Sequence, residues 1–169
     1  MKVDKNRHTE VEKLQIAGLT WSFAPFGLIF MAKKFLLSAI AADAAEQTTS
    51  PTGTWQPVPK YLACHSIELA LKAFLTLKNS SLKDARRFSH DIQKLLEEAL
   101  KRGLEEYASL SSEQKETIAR ASSYYNEKVF EYPSLPEAAQ AYPGDPPLGP
   151  LIAAAQALVS SLYEPCQEA

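Results

Sequence analysis

The sequence predicts an all-α protein: an antiparallel up-and-down bundle of four to five helices, occupying residues 1–169 as a single domain. Three observations carry that reading. Apolar residues recur at three- and four-residue intervals through long segments, prolines stand at the borders of those segments, and the connections are short enough to favour antiparallel neighbours. With 169 residues, 46% of them apolar, the chain has the material for one self-sufficient core. No internal repeat or interdomain linker is visible.

Residues 1–13 read as a charged arm without the apolar stretch of a signal peptide. An uncharged run from Leu14 to Ala32 is long enough to cross a bilayer, but Gln15, Gly18, Thr20, Ser22, Pro25 and Gly27 interrupt it. The expectation is a buried helix with a capped start, and no membrane partner. Pro25 opens the first helix, which runs to about Glu46. Phe26, Ile29, Phe30, Leu37, Ile40 and Ala44 line one side, and Leu28, Met31, Phe35 and Ala39 a second, so this element is expected at the centre of the bundle. After a Thr-, Ser-, Pro- and Gly-bearing loop, Pro59 opens a second helix through about Leu77, ended by Asn79, Ser80 and Ser81.

The third helix is expected to start with Ser89 as N-cap. It carries one stripe of Ile92, Leu95, Leu96, Ala99 and Leu100, places Lys101 and Arg102 at the negative end of the dipole and stops at Gly103. Ser111 and Gln114 stand at capping-box spacing before a fourth helix, with Ile118, Ala121 and Tyr125 on one face through about Lys128. Six prolines then accumulate between 133 and 150 and predict an irregular Pro-rich strap. The last helix follows Pro150, presents Leu151, Ile152, Ala155, Leu158, Val159 and Leu162, and ends before Pro165. The pattern yields five helices and no strand.

Eighteen basic against twenty acidic residues leave a net charge of −2. That excludes a uniformly basic nucleic-acid coat, and no sequence readout of DNA is expected; a polyanion would have to be held locally. Cys64 and Cys166 read as ordinary thiols in a reducing cytoplasm. Three histidines and two cysteines include no pair at metal-ligand spacing, so no metal and no cofactor is expected. A glycine-rich phosphate loop and a Gly-x-Ser-x-Gly elbow are both absent from the sequence. Trp21, Trp55 and the tyrosines near Tyr124 read as core or loop anchors in preference to base-stacking platforms.

Two polar clusters remain. On the second helix, His65, Glu68 and Lys72 are spaced three and four apart, with Tyr61 one turn earlier. One helical face therefore carries an imidazole, a carboxylate and an amine in a column with apolar surroundings. The competing reading is a solvated polar stripe. At the start of the third helix, His90 and Asp91 follow Lys83, Arg86 and Arg87. Free amides and cations there suit a phosphate or carboxylate. Alternatively Ser89 or Asp91 caps the helix while His90 bonds across the bundle.

Three segments, "YLACHSIELALKAFLTLK", "FSHDIQKLLEEALKRG" and "YYNEKVFEYP", together resemble the HEPN domain. These small helical bundles are typical of prokaryotic toxin–antitoxin and defence systems and of partners of minimal nucleotidyltransferases. The resemblance covers roughly Pro59 to Pro133. It implies a HEPN-like bundle, a homodimer, and a polar helix face made of His65, Glu68 and Lys72 beside a His-Asp helix start at His90 and Asp91. HEPN ribonucleases use an Arg followed after four to six residues by a His on a late helix, and none of His8, His65 and His90 follows an Arg at that interval. Arg86 to His90 is one residue too short. Arg120 to Tyr125 has the interval, but a phenol is a poor proton-transfer group at neutral pH.

The leading expectation is a non-catalytic binding module for a nucleotide, an RNA or a partner protein, with ligand-binding residues His65, Glu68, Lys72, Arg86, Arg87, His90 and Asp91. A first alternative is a metal-independent ribonuclease with a displaced motif, using His90, Arg86 and His65. A purely structural dimeric bundle is the second.

Overall fold

The computed structural model describes residues 13–16, 19–22, 25–49, 55–78, 88–132 and 144–169. Among them are five helices: α1 (Pro25–Thr49), α2 (Pro57–Leu77), α3 (Ile92–Lys101), α4 (Ser112–Asn126) and α5 (Leu148–Glu168). A helical bundle with one core is therefore present; apolar residues of all five helices join a single buried cluster. Most of the Pro-rich strap, residues 133–143, and the charged arm lie outside the described residues.

The expectation of no strand is corrected. Strands β1 (Lys13–Ile16) and β2 (Leu19–Ser22) pair antiparallel, with Ile16 opposite Leu19 and Lys13 opposite Ser22. Two residues, the second of them Gly18, separate the strands in sequence, which is a hairpin spacing. The uncharged run from Leu14 to Ala32 is accordingly divided between a hairpin and the start of α1, and forms no single helix.

The centre of the bundle is α2, which packs against α1, α3, α4 and α5, so the expected central place of α1 is also corrected. The reason lies in side-chain size and sign. On α2 the small residues Ala63, Ala70 and Ala73 alternate with Ile67, Leu71, Phe74 and Leu75, all buried, so helices approach it from several sides. α1 buries only Ile29, Ala32, Leu36 and Ala39, which form one stripe, and leaves Phe26, Phe30, Met31, Leu37 and Ile40 exposed. By length and composition α1 meets the criterion for a membrane-crossing helix, with 22% of its apolar window buried in the bundle. The hydroxyl of Ser66 donates to the Ala32 carbonyl across 2.8 Å and ties α2 to α1 where both side chains are small.

Helix termini follow local chemistry. The capping box at α4 is present: the Gln114 amide donates to Ser111 Oγ, and the Ser111 amide donates to the Gln114 side chain at 2.8 Å. Ser111→Ala is expected to cost about 1 kcal/mol in urea denaturation. An unchanged midpoint would show that α4 is held by packing alone. At α3 the cap is Asp91, whose carboxylate accepts from the Lys94 amide at 3.0 Å, not Ser89. Ser89 has φ of 50° and sits in the left-handed region, a geometry for a turn residue rather than a cap. Gly103, at φ 85°, ends α3 as its freedom at positive φ allows. α5 starts at Leu148, with Pro150 inside its first turn, and runs through Pro165 to Glu168, correcting both expected ends. Pro165 stands in the last turn, where its missing amide and its ring disturb only the end of the helix.

Where the strap re-enters the bundle, Asp145 pairs with Lys60 of α2, a lysine only 7% exposed in its side chain. Trp55 Nε1 lies 3.4 Å from the same carboxylate, and an Arg120 guanidinium N–H donates to the Asp145 carbonyl at 3.2 Å. Two helices and the segment before α2 thereby fix the lead-in to α5.

Candidate functional site

α2 places His65, Glu68 and Lys72 on one face, as its three- and four-residue spacing dictates, and that face meets α3 and α4. The column is not a solvated stripe. Glu68 has a side chain only 3% exposed and stands at the centre of a hydrogen-bonded hub. Its Oε1 accepts from Lys72 Nζ at 2.5 Å. Its Oε2 accepts from the Tyr125 hydroxyl at 2.6 Å and from His90 Nδ1 at 3.1 Å, and His65 Nδ1 lies 3.5 Å from the same oxygen. Lys72 also donates to the Ser89 carbonyl at 3.1 Å, which holds the turn before α3 over the end of the column.

Hydrogen-bond bookkeeping assigns the imidazole tautomers. A carboxylate only accepts, so His90 presents Nδ1–H to Glu68. The single Tyr125 hydroxyl proton is used on Glu68, so the 2.7 Å contact between His65 Nδ1 and the Tyr125 oxygen requires Nδ1–H on His65 as well. Both rings are thus hung by Nδ1 from one hub, and neither Nε2 has a hydrogen bond among the described residues. His90 is 46% exposed in its side chain and His65 23%.

Aromatic rings define the walls. His65 meets the Phe35 ring edge-on at 4.3 Å between centroids and lies nearly parallel to Tyr61, 4° between planes at 6.1 Å. His90 stands edge-on to the Tyr125 ring at 5.4 Å. These contacts restrict both imidazoles to narrow orientations.

The electrostatics follow from burial and bonding. Burial drives the Glu68 carboxyl upward, but the nearby His65 imidazole, the hydrogen bonds from Lys72 and Tyr125 and the Lys72 charge outweigh it and hold the group well below the ordinary carboxylate range. Tyr125 is pushed in the opposite direction, first by burial and then by the Glu68 charge and hydrogen bond, so its phenol stays protonated. Burial, reinforced by Glu68, also keeps the Cys64 thiol protonated, while burial alone lifts Cys166 to about 11.

The structure brings His65, Glu68, Lys72 and His90 together. Asp91 is engaged separately: it caps α3, accepts from Ser122 Oγ at 3.1 Å and pairs with Lys94 at 2.8 Å, which with its backbone bond outweighs burial and lowers its carboxyl. Arg86, Arg87 and Lys83 lie outside the described residues. Arg120 and Tyr125, the pair at ribonuclease interval, serve different contacts, with Arg120 on Asp145 and Tyr125 in the hub. The hydroxyl of Tyr125 is the functional group that sequence reasoning missed. Its place on the inner face of α4 was legible from Ile118 and Ala121; its landing on Glu68 was not. No group of three or more His, Cys, Asp or Glu suited to a metal ion occurs among the described residues.

Fold and site together define a helical bundle carrying a buried carboxylate that presents two imidazoles and a lysine at its surface. Comparison with protein-family models, with curated proteins and with solved structures gives no match to the chain.

Proposed function

We propose that this chain is a HEPN-like binding module of the cytoplasm that takes the phosphate of a nucleotide or an RNA at the Glu68 hub. The observation that carries this reading is the orientation of the two imidazoles. Each is anchored through Nδ1–H on the hub, which leaves its Nε2 without a hydrogen bond among the described residues. With a proton on Nε2 as well, each ring would join the Lys72 ammonium in a small set of charge-assisted donors for phosphate oxygens. Glu68 orients these groups and balances their charge without facing the ligand itself, because its side chain is almost wholly buried. The unpaired thiols of Cys64 and Cys166 support the cytoplasmic placement.

The test is fluorescence anisotropy of an end-labelled single-stranded ten-nucleotide RNA with purified protein in chelator, alongside competition by AMP. His90→Ala, at an exposed position, is expected to weaken binding by about 10-fold, and Lys72→Gln by a similar or larger factor. Equal affinity of wild type and both variants would overturn the reading.

One observation favours a second reading. Two imidazole Nδ1 atoms within 3.5 Å of one carboxylate oxygen make a pair of oriented proton carriers, and a neighbouring ammonium can meet a phosphorane. A metal-independent ribonuclease using His65 and His90 would cleave the same RNA in chelator. Cleavage abolished by His65→Ala and by His90→Ala would replace the binding module with that enzyme.

A further inference from the structure

Beyond orienting its partners, the Glu68 hub sets the charge of the site. Lys72 meets Glu68 at 2.5 Å, so those two charges offset each other, and a ring that holds only its Nδ1 proton is neutral. In that state the Nε2 atoms of His65 and His90 are lone-pair acceptors, and a phosphate oxygen, itself an acceptor, gains nothing from them. A proton added at each Nε2 turns both rings into donors and gives the hub two uncompensated positive charges.

The surroundings leave those charges to a ligand. Glu68 is the one carboxylate bonded to either ring among the described residues. α1 presents only the Phe35 ring to His65. α2 places Tyr61 beside it and α4 sets Tyr125 against both imidazoles, and burial raises both phenols, so neither ionises near neutral pH. Asp91 pairs with Lys94 at 2.8 Å, and Glu131, which acts on Tyr61, is exposed to solvent. Lys72, 13% exposed in its side chain, has three N–H bonds and uses two of them, on Glu68 and on the Ser89 carbonyl. One ammonium N–H and two Nε2–H groups match the three oxygens of a terminal phosphate, whereas an internal phosphodiester has two free oxygens. Charge selects in the same direction. A terminal phosphate carries about −2 at neutral pH, and a diester a single negative charge.

We infer that the hub is a site for a terminal phosphate, that of a nucleoside monophosphate or of a phosphorylated RNA end, and that His65 and His90 take up protons from solvent as it binds. The inference rests on the phosphate reading and adds which phosphate is held. Proton and phosphate binding then favour each other reciprocally.

Two measurements on the full chain test it. A 3′-labelled ten-nucleotide RNA is expected to bind on the order of 10-fold more tightly with a 5′-phosphate than with a 5′-hydroxyl at pH 7. Displacement of the phosphorylated RNA by AMP but not by adenosine identifies the free nucleotide as an equal source; displacement by neither places the phosphate on an RNA end. Titration calorimetry of the same RNA at pH 7.5, in phosphate-free buffers of unequal ionisation enthalpy, is expected to show uptake of about one to two protons per RNA bound, and fewer in His90→Ala. Affinity is expected to fall about 10-fold from pH 7 to 8.5, where the phosphate, with its last ionisation at about 6, no longer changes charge appreciably. Equal affinity for the two RNA ends, displacement by adenosine as readily as by AMP, or no proton uptake would overturn the inference and leave the phosphate reading standing. Binding of neither RNA at any pH would remove that reading itself.

Discussion

Glu68→Ala is expected to remove about 3–5 kcal/mol of stability, a large part of the total for a domain of this size. The carboxylate is the acceptor for Lys72, Tyr125 and His90 at once. Its loss leaves an ammonium 13% exposed and a buried phenol without the partner that offset their desolvation. Most of this cost belongs to the orphaned groups, so Glu68→Gln combined with Lys72→Met should recover a substantial part of what Glu68→Gln alone loses. Urea denaturation of the four chains closes the cycle; additive losses would show that carboxylate and ammonium are not coupled.

The pH dependence has a defined sign. Glu68 is depressed in the folded chain, against an ordinary value of 4.5, so below 4.5 the unfolded chain takes up a proton that the folded hub refuses. The stabilisation is full above that pH and is lost progressively as pH falls toward the folded value. The gap in stability between wild type and Glu68→Gln should therefore narrow on acidification below 4.5. A gap constant down to pH 3 would mean that Glu68 titrates normally in the fold.

The second large effect is expected at Asp145, outside the hub. Asp145→Ala leaves Lys60 buried on α2 with no carboxylate, and removes an acceptor for Trp55. A loss of about 2–3 kcal/mol is expected, below that at Glu68 because Asp145 itself is 27% exposed. Lys60→Met in the same chain should return much of it, since a linear apolar side chain fills the site without a charge. If Asp145→Ala alone shifts the urea midpoint negligibly, the contact does not fasten the lead-in to α5.

Much of this arrangement was legible because its cause is local. The His65, Glu68 and Lys72 column follows from helical spacing, and the capping box at Ser111 from two residues three apart. What was not legible is set by tertiary placement. Tyr125 reaches Glu68 only because α4 packs where it does, and Lys60 is buried although a lysine is rarely so. The hairpin at Lys13–Ser22 escaped because four-residue strands show too few alternations to compete with a long uncharged run. The N-cap moved from Ser89 to Asp91 because both residue types cap well and only the backbone angle at Ser89 separates them. α1 was expected at the centre because apolar residues on two sides do not show which of the sides the bundle covers.

The packing of α5 against both α1 and α2 has a consequence for synthesis. The helix that packs on both is translated after α1 to α4, so the surfaces of α1 and α2 that it covers with its buried Leu151, Leu158 and Leu162 stay open until it arrives. Contacts of such sequence separation form late and slowly. A nascent chain stalled before residue 148 would carry an open hydrophobic trough, making it a substrate for chaperones. Cooperative folding, and with it the closed hub, becomes attainable only after α5 has left the ribosome.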